Sequence, residues 1–155
     1  MPEVGERAPD FSLPDADMEM ASLDDYRGRW LVLYFYPKDD TPGCTLEAVE
    51  FSALEDAFAA LDAQVVGVSP DDCISHADFR DKHGLSVRLL ADMDGEVAET
   101  YGVWRERDDG RRTIARSTFL IDPEGRIAEK WEGVIAKGHA QAVLERLREI
   151  RGETG

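Results

Sequence analysis

The chain has 155 residues, 43% of them hydrophobic, and its 33 acidic residues against 18 basic ones give a net charge of −15. This length predicts a single domain over residues 1–155 with its own hydrophobic core, and the acidic surplus excludes nucleic acid and anionic membrane surfaces as partners. No apolar run reaches the roughly 20 residues that span a bilayer, and the charged first residues lack a signal-peptide core, so we expect a cytoplasmic protein.

The first half of the chain alternates predicted strands with predicted helices. Residues 9–29 are rich in Pro and Asp and predict a lead-in with short extended pieces. Residues 30–36 form an apolar run of strand length, which suits a strand buried on both faces. Residues 46–62 carry apolar side chains at helical spacing, and residues 63–69 predict a second buried strand.

The second half continues this alternation and ends differently. Residues 70–85 predict a helix that opens with proline and acids and closes near a glycine. A short strand over 87–92 and a short helix over 94–102 follow. Residues 116–133 predict a β-hairpin around a Pro-Glu-Gly turn, and residues 137–150 predict a closing amphipathic helix.

This order of elements predicts an α/β fold. Alternating strands and helices imply right-handed crossovers and parallel central strands. The final hairpin adds antiparallel strands, so we expect a central mixed β-sheet flanked by helices on both faces. The pattern resembles the thioredoxin fold with an insertion.

Cys44 lies where the first buried strand gives way to a helix. Ligands of open α/β sheets bind beyond the carboxyl ends of the strands. A helix N-terminus offers unpaired N–H groups and partial positive charge, which favour the nucleophilic thiolate. Pro42 and Gly43 suit a tight bend, and Thr41 supplies a hydroxyl group. These residues predict an activated cysteine, and the alternative is a small apolar core residue.

Residues 37–44 read PKDDTPGC and resemble the peroxiredoxin active-site motif PxxxTxxC. Segments along nearly the whole chain are similar to the bacterioferritin-comigratory, or PrxQ-like, branch of that family. These segments read TPGCTLEA, GVSPDD, SHADF, YGVW and RSTFLIDPEG. The last of them places Arg116 at the head of a predicted strand.

The resemblance implies a thiol-dependent peroxidase for hydrogen peroxide and organic hydroperoxides, with no metal or organic cofactor. Cys44 would be the peroxidatic nucleophile and would become a sulfenic acid. Thr41, the first amides of the helix and Arg116 would stabilise the leaving group, and Pro37 would shield the thiolate from water. The implied partners are the hydroperoxide and a thioredoxin-like or small-thiol reductant, and the implied assembly is a monomer or weak homodimer.

The chain departs from the branch at the second cysteine. Many members carry a resolving cysteine five residues after the first, where this chain has Val49, which we expect to face the core. The other thiol is Cys73, near the start of the helix over 70–85. Either Cys73 resolves the sulfenic acid of Cys44, or an external thiol reduces it directly in a one-cysteine enzyme.

Two charged residues near the motif have alternative interpretations. Arg116 could instead be a surface arginine that pairs with one of the many acids. Glu47, three residues after Cys44, could bond back to the loop or be an acid favoured by the helix dipole.

The histidines predict no metal site. Cys73, His76 and His83 match no common zinc spacing and lack a fourth ligand. We expect His139 to cap or decorate the last helix.

Other functions on the same fold have weaker support. A disulfide reductase would need a CxxC motif, and Thr41 occupies that slot. A peroxide sensor or binding module would be oxidised once and then stop. A cysteine hydrolase would need a histidine base, and none lies near Cys44 in the sequence.

The acidic surplus itself suggests a habitat. Many carboxylates with few lysines resemble the surfaces of proteins from high-salt cytoplasms. The alternative is simply an acidic protein, because net charge mainly affects solubility and association.

Overall fold

The computed structural model describes residues 1–154, and side chains as far as residue 152. Its strands are Ser12–Pro14 (β1), Met20–Ser22 (β2), Trp30–Phe35 (β3), Ala63–Ser69 (β4), Arg88–Ala91 (β5), Trp104–Glu106 (β6), Arg112–Ile114 (β7), Ser117–Ile121 (β8) and Ile127–Trp131 (β9). Its α-helices are Pro42–Ala53 (α1), Glu55–Ala60 (α2), Cys73–His83 (α3), Glu96–Tyr101 (α4) and His139–Thr154 (α5), and a 3₁₀ helix covers Leu23–Tyr26.

A five-stranded sheet in the order β5-β4-β3-β8-β9 forms the centre of the molecule. β3, β4 and β5 are parallel, whereas β8 runs antiparallel to both β3 and β9. The predicted mixed sheet with helices on both faces is therefore confirmed. None of the helices within the described residues has both the length and the apolar character needed to cross a membrane.

All six residues of β3 are buried. Successive side chains of a strand point to opposite sides of the sheet, and both sides are covered here. Val32, Tyr34 and Tyr36 pack in one cluster with apolar residues of α1, α2, α3 and α5. Leu31, Leu33 and Phe35 pack in a second cluster with the lead-in and α4. Burying each such side chain contributes about 1.5–3 kcal/mol, which explains the uninterrupted apolar run.

The helix predicted over residues 46–62 is two helices that meet at Leu54, and the first of them begins earlier, at Pro42. Val49 is 41% exposed, so the expectation that it faces the core is wrong. The buried face of α1 instead carries Cys44, Glu47, Ala48 and Phe51. Glu47 lies within that face, so the sequence shows no continuous apolar stripe there.

The β6–β7 hairpin was not anticipated. It joins Trp104 to Ile114 in an antiparallel pair. Its strands are only three residues long, too short for alternation of polar and apolar residues to mark them in the sequence.

Candidate active site

Cys44 lies in the first turn of α1, just past the carboxyl end of β3. Thr41 is extended, with φ −90° and ψ 154°, and Pro42 takes the first helical position, where a missing N–H costs nothing. The Thr45 amide donates to the Thr41 carbonyl at 2.8 Å. The amides of Gly43 and Cys44 belong to the turn whose N–H groups have no intrahelical acceptor. Cys44 is 1% exposed, so its thiol is enclosed.

The register of the sheet places Arg116 beside Cys44. Phe35 of β3 lies opposite Ser117 of β8, so the preceding Arg116 sits next to the end of β3. Its Nη2 lies 3.4 Å from Cys44 Sγ. Gly43 allows this approach, since a Cβ there would lie 2.9 Å from Nη2. A guanidinium in contact with sulfur favours the thiolate.

Glu47 completes the cluster around Arg116. It is fully buried, and its Oε1 accepts a hydrogen bond from Arg116 Nη1 at 2.8 Å. Its Oε2 has no hydrogen-bond partner among the described residues. Burial raises the pKa of Glu47 to about 7, although Arg116 opposes the shift, so this carboxyl group exchanges a proton near neutral pH. Of the two interpretations left open for Glu47, the bond back to the loop is wrong, because the carboxyl group binds Arg116 instead.

Thr41 and Pro37 lie on the loop that enters α1. The Thr41 hydroxyl donates to the Lys38 carbonyl at 2.9 Å. Its proton is therefore engaged, and its oxygen lone pairs remain available as acceptors. Pro37 is half-buried and has no N–H group.

Cys73 is the first residue of α3, which follows β4, the parallel neighbour of β3. Asp72 caps that helix by accepting from the Ser75 amide at 2.8 Å. Cys73 is half-buried, and within the described chain both cysteines are free thiols. The carboxyl ends of parallel strands share one edge of a sheet, so Cys44 and Cys73 lie on the same side of the molecule.

The histidines near Cys73 are engaged in hydrogen bonds. His76 Nδ1 lies 2.7 Å from Asp39 Oδ2, and His83 Nε2 lies 2.7 Å from Asp40 Oδ1. Asp39, Asp71 and His76 place possible metal-ligand atoms within 4.8 Å of one another. Asp39 Oδ2 and His76 Nδ1 bind each other, and Asp71 Oδ2 accepts from the Ser69 hydroxyl and the Asp39 amide, so these residues form a hydrogen-bonded network.

His139 is expected to cap or decorate the last helix; it is the first residue of α5, and the alternative that it decorates the helix surface is wrong. It is 5% exposed, its Nε2 lies 2.7 Å from the Thr118 hydroxyl, and its ring meets Phe51 and Trp131 edge to face. Burial, and then the charge of Arg116, lower the pKa of His139 to about 4. The ring is therefore neutral at neutral pH and acts as a packing group.

The structure thus brings Cys44, Thr41, Pro37 and Arg116 to one end of β3 and places Cys73 on the adjacent helix. Sequence reasoning missed the burial of Glu47 and the pairing of Asp39 with His76. The only available signal for Glu47 was its spacing of three residues from Cys44, which puts both on one helix face.

Comparison with known proteins shows the family to which the chain belongs. The AhpC/TSA family model matches residues 4–130. Peroxiredoxin Bcp of Bacillus subtilis is 44% identical over 151 residues, which cover 96% of each chain. The structure of a cysteine-to-serine mutant of Xylella fastidiosa PrxQ superposes with a TM-score of 0.94 at 37% identity, over 97% of this chain and 98% of that one.

A second solved structure, of the Xanthomonas campestris bacterioferritin comigratory protein, gives a TM-score of 0.89 at 37% identity. It covers 95% of this chain and 98% of that one. The resemblance noted in the sequence and the thioredoxin-like fold are both confirmed. The chain therefore belongs to the AhpC/TSA family and, within it, to the peroxiredoxins, which are peroxidases of the oxidoreductase class.

Proposed function

We propose that Cys44 reduces hydrogen peroxide and organic hydroperoxides, and that a thioredoxin-like or small-thiol reductant restores it. The observation that carries this proposal is the contact of 3.4 Å between the Arg116 guanidinium and Cys44 Sγ, inside a buried helix start. The similar bacterioferritin comigratory protein of Xanthomonas campestris has alkyl peroxide reduction activity, which supports the inclusion of organic hydroperoxides.

In the first step, the Cys44 thiolate attacks one peroxide oxygen. A sulfur–oxygen bond forms, the oxygen–oxygen bond breaks, and Cys44 becomes a sulfenic acid. The leaving oxygen departs as hydroxide or alkoxide and takes up a proton to give water or an alcohol. Arg116 and the first-turn amides of α1 stabilise the negative charge that develops on this oxygen.

The loop residues orient the peroxide. The Thr41 hydroxyl donates to a backbone carbonyl, so its lone pairs can accept the O–H of the bound hydroperoxide. Pro37 presents no N–H that would hold water near the sulfur. Glu47 holds the guanidinium of Arg116 in place through the contact of 2.8 Å.

In the second step, a thiol condenses with the sulfenic acid, which forms a disulfide and releases water. We assign this step to an external thiol, and a second thiol then regenerates Cys44 by disulfide exchange. Cys73 remains the alternative resolving thiol. It begins a capped helix, and we expect the first turn around Cys44 to unwind before the two sulfur atoms bond.

Peroxide turnover with dithiothreitol as reductant tests the proposal. We expect repeated turnover in the wild type, none in Cys44→Ser, and wild-type turnover in Cys73→Ser. Circular dichroism should show that both variants are folded. Oxidation that stops after one equivalent of peroxide, with reductant still in excess, would instead support a sensor.

A further inference from the structure

The loop that delivers Cys44 has a single buried anchor. Between Pro37 and Thr41, Asp39 is the only buried residue in the described structure, at 7% exposure. Its neighbours Lys38 and Asp40 are exposed. A buried carboxylate in a short surface loop is costly unless other groups compensate for its charge.

The contacts of Asp39 reach three other segments. Its Oδ1 accepts from the Tyr36 hydroxyl at 2.6 Å, and its Oδ2 accepts from the Ser75 hydroxyl at 2.8 Å. Oδ2 also lies 2.7 Å from His76 Nδ1, and the Asp39 amide donates to Asp71 Oδ2 at 2.8 Å. One residue thus joins the loop to the end of β3, to the turn after β4 and to α3.

His76 binds a different partner through each of its two ring nitrogens. Its Nε2 lies 2.8 Å from the Leu90 carbonyl of β5, which can only accept, so Nε2 donates there. Its Nδ1 lies 2.7 Å from Asp39 Oδ2, and these two atoms share a hydrogen bond. The ring is fully buried and is therefore held between β5 and the loop before Cys44.

We propose that Asp39, Ser75 and His76 form a clamp that positions Cys44 for attack on peroxide, an inference that rests on the proposed function. The clamp holds the loop whose far end contains Gly43 and Cys44. That end has little freedom, because Gly43 lies so close to Arg116 that even a Cβ would crowd the guanidinium. In a preorganised site, a displacement of about 1 Å can cost about a hundredfold in rate.

The clamp predicts a kinetic signature beyond simple stability. It ties the Cys44 loop to α3, so the loop must detach before the oxidised sulfur can move toward an incoming thiol. Weakening the clamp should therefore lower kcat/KM for peroxide and leave kcat/KM for the reductant unchanged or higher. A residue with only a structural role would lower both together.

Three variants test the clamp, and the next residue of the loop supplies the matched control. Asp40 also binds α3, through Lys82 Nζ at 2.6 Å and His83 Nε2 at 2.7 Å, but these contacts are exposed. We expect Asp39→Asn and His76→Gln to slow peroxide oxidation of Cys44 about tenfold or more, and Ser75→Ala to slow it about threefold. Asp40→Asn should stay within about twofold of the wild type.

Ser75→Ala keeps the test decisive if Asp39→Asn or His76→Gln does not fold. Amide exchange at Thr41 and at residues 43–45 should be faster in Ser75→Ala than in Asp40→Asn. A wild-type peroxide rate in Ser75→Ala together with unchanged amide exchange would overturn the clamp.

These readouts separate the clamp from the proposed function. If the wild type did not turn over peroxide, the proposed function would fail. Amide exchange would still report on the clamp, because it does not depend on turnover.

Discussion

Cys44 and Cys73 each begin a helix that follows one of two neighbouring parallel strands, yet their surroundings differ sharply. Cys44 is 1% exposed and lies 3.4 Å from the Arg116 guanidinium. Cys73 is half-buried, and the residues just before it are the acids Asp71 and Asp72. The two helix starts provide similar backbone dipoles, but Cys44 contacts a guanidinium that also binds Glu47, whereas Cys73 directly follows two acids in the chain.

A helix start alone does not give a thiol the surroundings of Cys44, because the guanidinium comes from another part of the chain. β8 pairs with β3 in the antiparallel direction, so its first residues, with Arg116 before them, lie next to the start of α1. On the other side of the sheet β5 pairs with β4 in the parallel direction, so its first residue lies at the edge away from the start of α3. The chain therefore supplies a cation to one thiol and acids to the other. Substitutions that remove one of these charges, and salt that screens them, should reduce the difference between Cys44 and Cys73 to different extents.

The largest effect should come from Arg116→Met, which makes the start of α1 resemble that of α3. We expect the rate constant for oxidation of Cys44 by hydrogen peroxide to fall about a hundredfold, as when one donor to a developing anion is removed. Stopped-flow measurement of tryptophan fluorescence would give this rate. Arg111→Met removes the same charge from an exposed site and is the control. Equal rates in the two variants would contradict the role of Arg116.

Glu47→Gln should change how stability depends on pH. The pKa of Glu47 is raised by burial to about 7, above the value of about 4.3 for an unfolded chain. The stabilisation from its bound proton is complete below about pH 4 and is lost as the pH rises through 7. Glutamine stays neutral, so the variant should gain relative to the wild type between pH 5 and pH 8, by at most about 3 kcal/mol.

Urea unfolding of both proteins at several pH values would measure this gain. His139 has the opposite linkage, because its lowered pKa costs stability as the pH falls from about 6.5 toward 4, but it is present in both proteins and cancels. For Glu96→Gln, at an exposed position, the free energy of unfolding should depend on pH as it does in the wild type. If Glu47→Gln also had the pH dependence of the wild type, the pKa of Glu47 would lie in the ordinary range.

Salt should affect the stability of the protein more than the reaction rate of Cys44. Repulsion among the 33 acids acts over a Debye length of about 30 Å at 0.01 M salt and about 3 Å at 1 M. We expect the melting temperature to rise by several degrees in molar potassium chloride, whereas the rate of the buried Cys44 with neutral hydrogen peroxide should change less than twofold. A melting temperature that stays flat or falls would remove the high-salt hypothesis.

The smallest effect should come from Cys73→Ser. After one equivalent of peroxide, the intact mass of the wild type and of the variant should each rise by one oxygen, which we assign to Cys44. The two proteins should also turn over peroxide at the same rate. In the described part of the chain Arg116 contacts Cys44, whereas Cys73 follows two acids in a capped helix start. A loss of two hydrogens in the wild type, abolished in Cys73→Ser, would establish an intramolecular disulfide and a resolving role.

Much of the fold was predictable because it depends on local patterns. The apolar run at residues 30–36 reports a strand buried on both faces, and the order of strands and helices restricts the possible connections. The break at Leu54 and the buried position of Glu47 were not predictable. An apolar pattern along a short helix leaves open which of its faces meets the core until the neighbouring elements are in place.

The position of Cys44 at a helix start could be predicted from the sequence, because the motif around it occupies one short segment. The partners of that segment became known from the folded chain. Arg116 lies 72 residues from Cys44, and His76 lies 37 residues from Asp39. Sheet register and helix packing set those contacts, and no local spacing records them. The charges that distinguish Cys44 from Cys73 are thus a property of the folded chain.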